Sequence, residues 1–188
     1  MTEQALSNDA EIARMARRIT RPIVLVGLMG AGKSTVGRRL ATMLGRDFID
    51  ADDAIEEAAQ RSVGEMFEEF GEAYFRDGER RVIARLMEEN SGVIATGGGA
   101  FVDPETRALI LEQAIAVWID CDIDTLVERT SRRDTRPLLK NGDPKAILTK
   151  LFNDRSEYYA QAHVRVLSED GPHADTARAI IEAIDRWM

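Results

Sequence analysis

A chain of 188 residues with 33 acidic against 25 basic side chains carries a net charge of −8, which argues against a nucleic-acid partner, because phosphate backbones attract basic surfaces. Its single cysteine, Cys121, excludes a disulfide framework or an intrachain zinc cluster and reads as a small apolar core residue. No run of about 18 apolar residues offers a membrane span, and Glu3, Asp9 and Glu11 argue against a signal or transit peptide, so the cytosol is the expected compartment and no membrane partner is expected.

Residues 1–20 read as a polar tail carrying one short helix, with Ile12, Met15, Ala16 and Ile19 at helical spacing, and one domain is expected over 21–188. Pro22 to Gly27 is an unbroken apolar run, the pattern of a parallel strand covered on both faces. Lys33 to Leu44 follows as a helix with Val36, Leu40, Met43 and Leu44 on one face and Gly45 as its cap. A short strand through Phe48 and Ile49 precedes a helix over Asp52 to Gln60. Ser62 and Glu65 form a capping box for another short helix, and a long helix from about Glu72 to Glu89 turns Phe75, Val82, Ile83 and Leu86 inward.

Val93-Ile94-Ala95 is the third strand, and Asp103-Pro104 opens a helix with a capping acid and a first-turn proline. Ala114 to Asp120 is the fourth strand, with Asp122 capping the helix after it. Asp143-Pro144 repeats the start signal before a helix whose stripe is Ile147, Leu151, Arg155 and Tyr158. Val164 to Leu167 is the fifth strand, and Ala174 to Trp187 is a final amphipathic helix. Strands alternating with helices imply an α/β sandwich with a parallel sheet and right-handed crossovers.

Gly27-Leu28-Met29-Gly30-Ala31-Gly32-Lys33-Ser34 matches the P-loop pattern G-x-x-x-x-G-K-[ST] at every position, between an apolar strand and an amphipathic helix. Glycines let the backbone wrap closely round phosphate oxygens, successive N–H groups form an anion nest, and the helix adds its positive end. Gly30, Ala31, Gly32, Lys33, Ser34 and Thr35 are therefore candidate ATP-binding residues, with Lys33 reaching the β/γ-phosphates and the Ser34 hydroxyl ligating Mg²⁺.

Other segments narrow the choice among P-loop proteins. Asp50 and Asp52, two apart on extended chain, point to one side at the carboxyl edge of the sheet, although either serves equally well as a helix cap. Arg76 and Glu79, three apart on a helix, read by themselves as a surface ion pair. Thr96-Gly97-Gly98-Gly99 at a strand end permits close approach of a ligand, or is a plain tight turn. Arg155 places a charge on an apolar stripe and so needs a partner. Arg129, Arg132, Arg133, Arg136 and Lys140 crowd one short stretch of an acidic chain, which suggests a small anionic ligand or a solvated helix end.

Taken in order, G-L-M-G-A-G-K-S-T, D-A-D at 50–52, F-R at 75–76, G-G-G-A at 97–100, R-P-L-L at 136–139 and D-R at 154–155 resemble the shikimate kinase family over roughly 22–187. The resemblance implies a five-stranded parallel sheet in the order 2-3-1-4-5, and transfer of the ATP γ-phosphate to the 3-hydroxyl of shikimate in aromatic amino-acid biosynthesis. It implies that Asp52 binds the shikimate hydroxyls and orients the nucleophile and that Asp50 supports Mg²⁺ beside Ser34. Arg76 and Arg155 would hold the substrate carboxylate, with Gly97, Gly98 and Gly99 lining that pocket. Arg136 would reach the phosphates and Arg129 the adenine. A substrate-binding helical segment falls at about 52–90 and a lid at about 129–142, in a chain expected to act as a monomer. Residues 168–172 match no sharp pattern at the adenine end.

Two rivals stand beside this reading. Another small-molecule P-loop kinase, such as a gluconate kinase, needs no arginine pair for a ring carboxylate. A catalytically idle nucleotide-binding module should lack one of Lys33, Asp52 and Arg136, and this chain has all three.

Overall fold

The computed structural model describes residues 3–89, 92–131, 142–169 and 171–188. Its centre is a parallel sheet of five strands in the order β2-β3-β1-β4-β5, formed by β1 (Ile23–Val26), β2 (Phe48–Asp50), β3 (Val93–Ala95), β4 (Ile115–Asp120) and β5 (Val164–Leu167). Ile23 is in register with Val93 on one side and Ile115 on the other. Every residue of β1, β3 and β4 is buried, as strands covered by helices on both faces must be. At the edge, β5 alternates instead, with Val164 and Val166 inward and Arg165 and Leu167 outward.

The helices start where short capping side chains stand. α1 (Glu3–Arg18) precedes β1, and α2 (Lys33–Leu44) runs from the loop after β1 to Gly45 in left-handed backbone. Asp50 caps α3 (Ala51–Ala59), accepting from the Asp52 amide. In α4 (Val63–Glu89) the Ser62–Glu65 capping box closes in both directions, Ser62 N–H donating to Glu65 Oε2 at 2.8 Å and Glu65 N–H to Ser62 Oγ at 3.2 Å. Gly71, at φ 81° and ψ 173°, breaks α4 into the short and long helices that the sequence predicts.

Asp103 caps α5 (Pro104–Gln113), Asp122 accepts from Thr125 N–H at the start of α6 (Ile123–Ser131), and Asp143 caps α7 (Pro144–Tyr159); α8 (His173–Trp187) closes the chain. No helix among the described residues is long and apolar enough to cross a membrane.

Two expectations meet a different structure. The polar tail is a packed element: Ile12 and Ile19 of the first twenty residues lie in the main core, Ala16 is buried, and α1 is tied to α8 by Arg18–Asp185 at 2.7 Å and Asp9–Arg178 at 2.8 Å. Three inward residues among many charges give a weak periodic signal, and burial on α8 rather than propensity makes the helix. In α7 the fully buried tyrosine is Tyr159, not Tyr158, because the inner stripe runs through Leu148, Arg155 and Tyr159 at helical spacing.

The core is divided. Most buried residues form one cluster around the sheet, whereas Ile55, Met66 and Phe75 form a small separate cluster under α3 and α4, with Val82 packed against both.

Candidate active site

The carboxyl ends of β1, β2 and β3 meet at one edge of the sheet, where open α/β folds place their ligands. The loop after β1 carries Gly27 to Gly32, with Gly30 at φ 83° and Gly32 at φ 94°, a left-handed backbone that side chains rarely adopt. This curvature turns the loop round the start of α2. Lys33 folds back across it, its ammonium donating to the Gly27 and Leu28 carbonyls at 2.8 Å each. Ser34 and Thr35 occupy the first turn of α2, and Ala31 is buried beneath the loop. A helix N-terminus, curved amides and an ammonium converge on one concavity, the chemistry of a polyphosphate cradle.

Asp50 and Asp52 stand beside it with different partners. Ser34 Oγ donates to Asp50 Oδ2 at 2.7 Å, and the other Asp50 oxygen accepts from the Asp52 amide at 3.1 Å. Asp50 is therefore both a helix cap and a partner of the P-loop serine, and Asp52 is not the cap. The Ser34 hydroxyl and the Asp50 carboxylate are hard oxygen donors of the kind Mg²⁺ takes. Among the described residues no cluster of three or more His, Cys, Asp or Glu could hold a metal. Burial first, and then the Asp50 charge, push the Asp52 carboxyl above its ordinary range, while the Lys33 charge opposes the rise.

The turn after β3 is the second half of the site. A Cβ at Gly97 would stand 2.9 Å from Asp52 Oδ1, one at Gly98 would stand 3.2 Å from Arg155 Nη1, and one at Gly99 would overlap Arg76 Nη2. Three successive glycines thus lie against three polar side chains from α3, α7 and α4, and any larger residue would push those side chains aside. A cavity of ≈ 730 Å³ opens beside this wall, lined by Arg76, Arg155 and Gly99 among others.

Arg76 is the ion-pair partner of Glu79, at 2.6 Å, as its spacing suggests, but the pair is not a surface one: Glu79 is 1% exposed and Arg76 17%. Burial drives the Glu79 carboxyl up to about 7 against the pull of Arg76. Glu79 is a member of the site that the sequence shows only as a possible surface partner for Arg76. Tyr159 is another, its hydroxyl donating to the Gly98 carbonyl. Its signal is the four-residue spacing from Arg155, which places both on one side of α7.

Arg129 lies on the far side of the cradle. It donates to Ser168 Oγ at 3.1 Å and to the Glu169 carbonyl at 3.0 Å, so the segment after β5 that carries no sharp motif is held against the α6 arginine. Arg136, and with it most of the expected lid, lies outside the described residues.

Comparison with known proteins places this geometry in a family. A family model described as shikimate kinase matches residues 29–185. The shikimate kinase of Novosphingobium aromaticivorans is 56% identical over 190 aligned positions, which cover 99% of this chain and 98% of that protein. Among solved structures, the shikimate kinase of Acinetobacter baumannii in complex with shikimate is 35% identical at a TM-score of 0.83, covering 90% of this chain and 96% of that one. A gluconokinase from Sinorhizobium meliloti, 17% identical at a TM-score of 0.62 and covering 89% of this chain and 95% of its own, shares the fold alone.

Proposed function

The chain belongs to the shikimate kinase family, and we propose on that footing that it transfers the γ-phosphate of ATP to the 3-hydroxyl of shikimate, giving shikimate 3-phosphate and ADP. It is an ATP-dependent kinase of aromatic amino-acid biosynthesis. The observation that carries the reading is the glycine turn at 97–99, which faces Asp52, Arg155 and Arg76 in that order with Asp52 beside Lys33. One end of a small acid is gripped by arginines while a carboxylate at the other end faces the phosphate cradle.

Phosphoryl transfer asks mainly for positioning and for charge neutralisation. The cradle amides bind the phosphates, and Lys33 exchanges the Gly27 and Leu28 carbonyls for β/γ-phosphate oxygens. Ser34 and Asp50 would hold Mg²⁺, which would supply positive charge to those oxygens when bound. Asp52 orients the acceptor hydroxyl and takes its proton. The raised basicity of its carboxyl suits that task, because a stronger base removes a hydroxyl proton more readily as the bond forms. Arg76 and Arg155 fork onto the carboxylate, fixing the ring so that only one hydroxyl meets Asp52. Arg129 borders the nucleotide at its adenine end, and Arg136 is assigned to the phosphates on its sequence motif alone. We place the enzyme in the cytosol as a monomer, with ATP and shikimate as its small-molecule partners and Mg²⁺ as its cofactor.

A coupled assay of ADP release tests the reading, with shikimate, gluconate and no acceptor compared in parallel. Turnover should depend on shikimate. Turnover with gluconate and none with shikimate would transfer the chain to the sugar-acid kinases with which it shares the fold.

A further inference from the structure

Among the described residues Tyr159 is the largest fully buried side chain, 1% exposed, yet it ends in a hydroxyl that must find partners. It sits in the last turn of α7, one helical turn beyond Arg155, with its ring 5.9 Å from that of Trp118 on β4. The hydroxyl spends its single proton on the Gly98 carbonyl. The Arg155 guanidinium is its charged neighbour on the same helix. Burial raises the pKa of the phenol while the charge and hydrogen bond of Arg155 draw it back, so the group remains a neutral donor throughout the working range. A Cβ built on Gly98 would meet Arg155 Nη1 at 3.2 Å and Tyr159 Oη at 3.7 Å, so the middle glycine touches both ends of this arrangement.

We propose that Tyr159 is a positioning residue for the acceptor substrate: its hydroxyl ties the Gly98 carbonyl to the Arg155 guanidinium and so sets the gap between Arg155 and Arg76 in which a carboxylate is held. The proposal rests on the substrate reading above. A guanidinium offers five donors in a rigid plane, and two parallel ones suit a carboxylate only if the plane is turned correctly. The same hydroxyl pins the turn on which Gly99 makes room for Arg76. Losing it frees both walls of the pocket, without touching the phosphate cradle on the other side of Gly97.

Tyr159→Phe removes the hydroxyl and keeps the ring against Trp118. The KM for shikimate should rise about 10- to 100-fold, the order of a hydrogen bond to a charged group, with kcat and the KM for ATP within about twofold of wild type. In Arg155→Ala the same substitution should add almost nothing, since Tyr159 acts through Arg155. Unchanged shikimate KM in Tyr159→Phe, a defect shared equally by both substrates, full additivity with Arg155→Ala, or failure of the variant to fold would each overturn the proposal and leave Tyr159 a core residue. The Arg155→Ala arm separates the two levels: normal shikimate kinetics there would overturn the substrate reading itself, whereas a large defect there with none in Tyr159→Phe defeats only the positioning role.

Discussion

The phosphate cradle is one unbroken stretch, Gly27 to Ser34, that leaves the central strand and enters α2, with Val26, Leu28 and Ala31 buried in the main core beneath it. The pocket between Arg76 and Arg155 is collected from α4, the 97–99 turn and α7, and its α4 wall rests partly on the small cluster of Ile55, Met66 and Phe75, drawn from α3 and from both sides of the Gly71 break. A short local motif on a thick core gives a rigid holder for a part common to many reactions. A pocket drawn from distant segments on a thin core gives a part that can be reshaped for one acceptor. Regions with few buried apolar contacts are also the ones that open most easily, so the pocket rather than the cradle is where substrate-dependent motion should occur.

The largest expected effect lies on the cradle side. Lys33→Ala should lose at least on the order of 10³-fold in kcat, because nothing else described in the cradle brings a full positive charge to the phosphates. Its melting temperature should stay near wild type, since the side chain belongs to the ligand-facing loop, where it donates to the Gly27 and Leu28 carbonyls, and not to the hydrophobic core. Near-normal turnover in this variant would remove the cradle from the mechanism.

Asp52 stands where the two regions meet. Asp52→Asn is isosteric and should cost about 10²- to 10⁴-fold in kcat with little change in the KM for ATP. Asp50, not Asp52, caps α3, so no loss of helix stability is expected to confuse the result. Wild-type kcat would show that Asp52 neither orients nor deprotonates the acceptor.

Smaller effects concern stability. An unfolded glutamate ionises near 4.5, whereas Glu79 in the fold ionises at about 7. Between those values the folded chain holds a proton that the unfolded chain has lost. Glu79 therefore lowers stability as pH rises from about 4.5 to about 7, by at most about 3 kcal/mol, and contributes no further change above that. Glu79→Gln should flatten this part of the profile in urea melts at pH about 5 and about 8. An unchanged difference between the two melts would mean that Arg76 keeps Glu79 ionised throughout. Deleting residues 1–18 removes the buried Ile12 and Ala16 and should cost roughly 3 kcal/mol, about 10 °C in Tm, while kcat at 25 °C stays close to wild type. A deletion that melts like the full chain would mean that α1 adds nothing to the domain.

How much of this was legible in the sequence follows the same divide. The cradle could be read residue by residue because its pattern is contiguous and its neighbours on either side are a plain strand and a plain amphipathic helix. Helix starts at Asp103, Asp122 and Asp143 were equally plain, since a cap acts on amides within three residues. Arg76 and Arg155 were not, because one arginine on a helix looks the same whether it is solvated, paired or waiting for a ligand. Only the ordered resemblance to a family gave them a task, and Arg76 turns out to be paired with a buried acid as well as lining the cavity. Tyr159 and α1 were hidden for a common reason. Tyr158 and Tyr159 are adjacent and identical, and the inward residues of the first twenty are three among charges, so tertiary packing alone decides what goes inside.

The contrast between the two regions is tested most directly by Arg155→Ala, assayed with shikimate and with shikimate methyl ester. Breaking one side of a charged hydrogen-bonded pair costs about 2–5 kcal/mol, roughly 30-fold to a few thousandfold in kcat/KM for shikimate. The ester should be a poor substrate for wild type and should barely distinguish it from the variant, and the KM for ATP should be the same in both. Equal shikimate kinetics in the two proteins, or an equal loss for acid and ester, would contradict the assignment of this pocket to the substrate carboxylate.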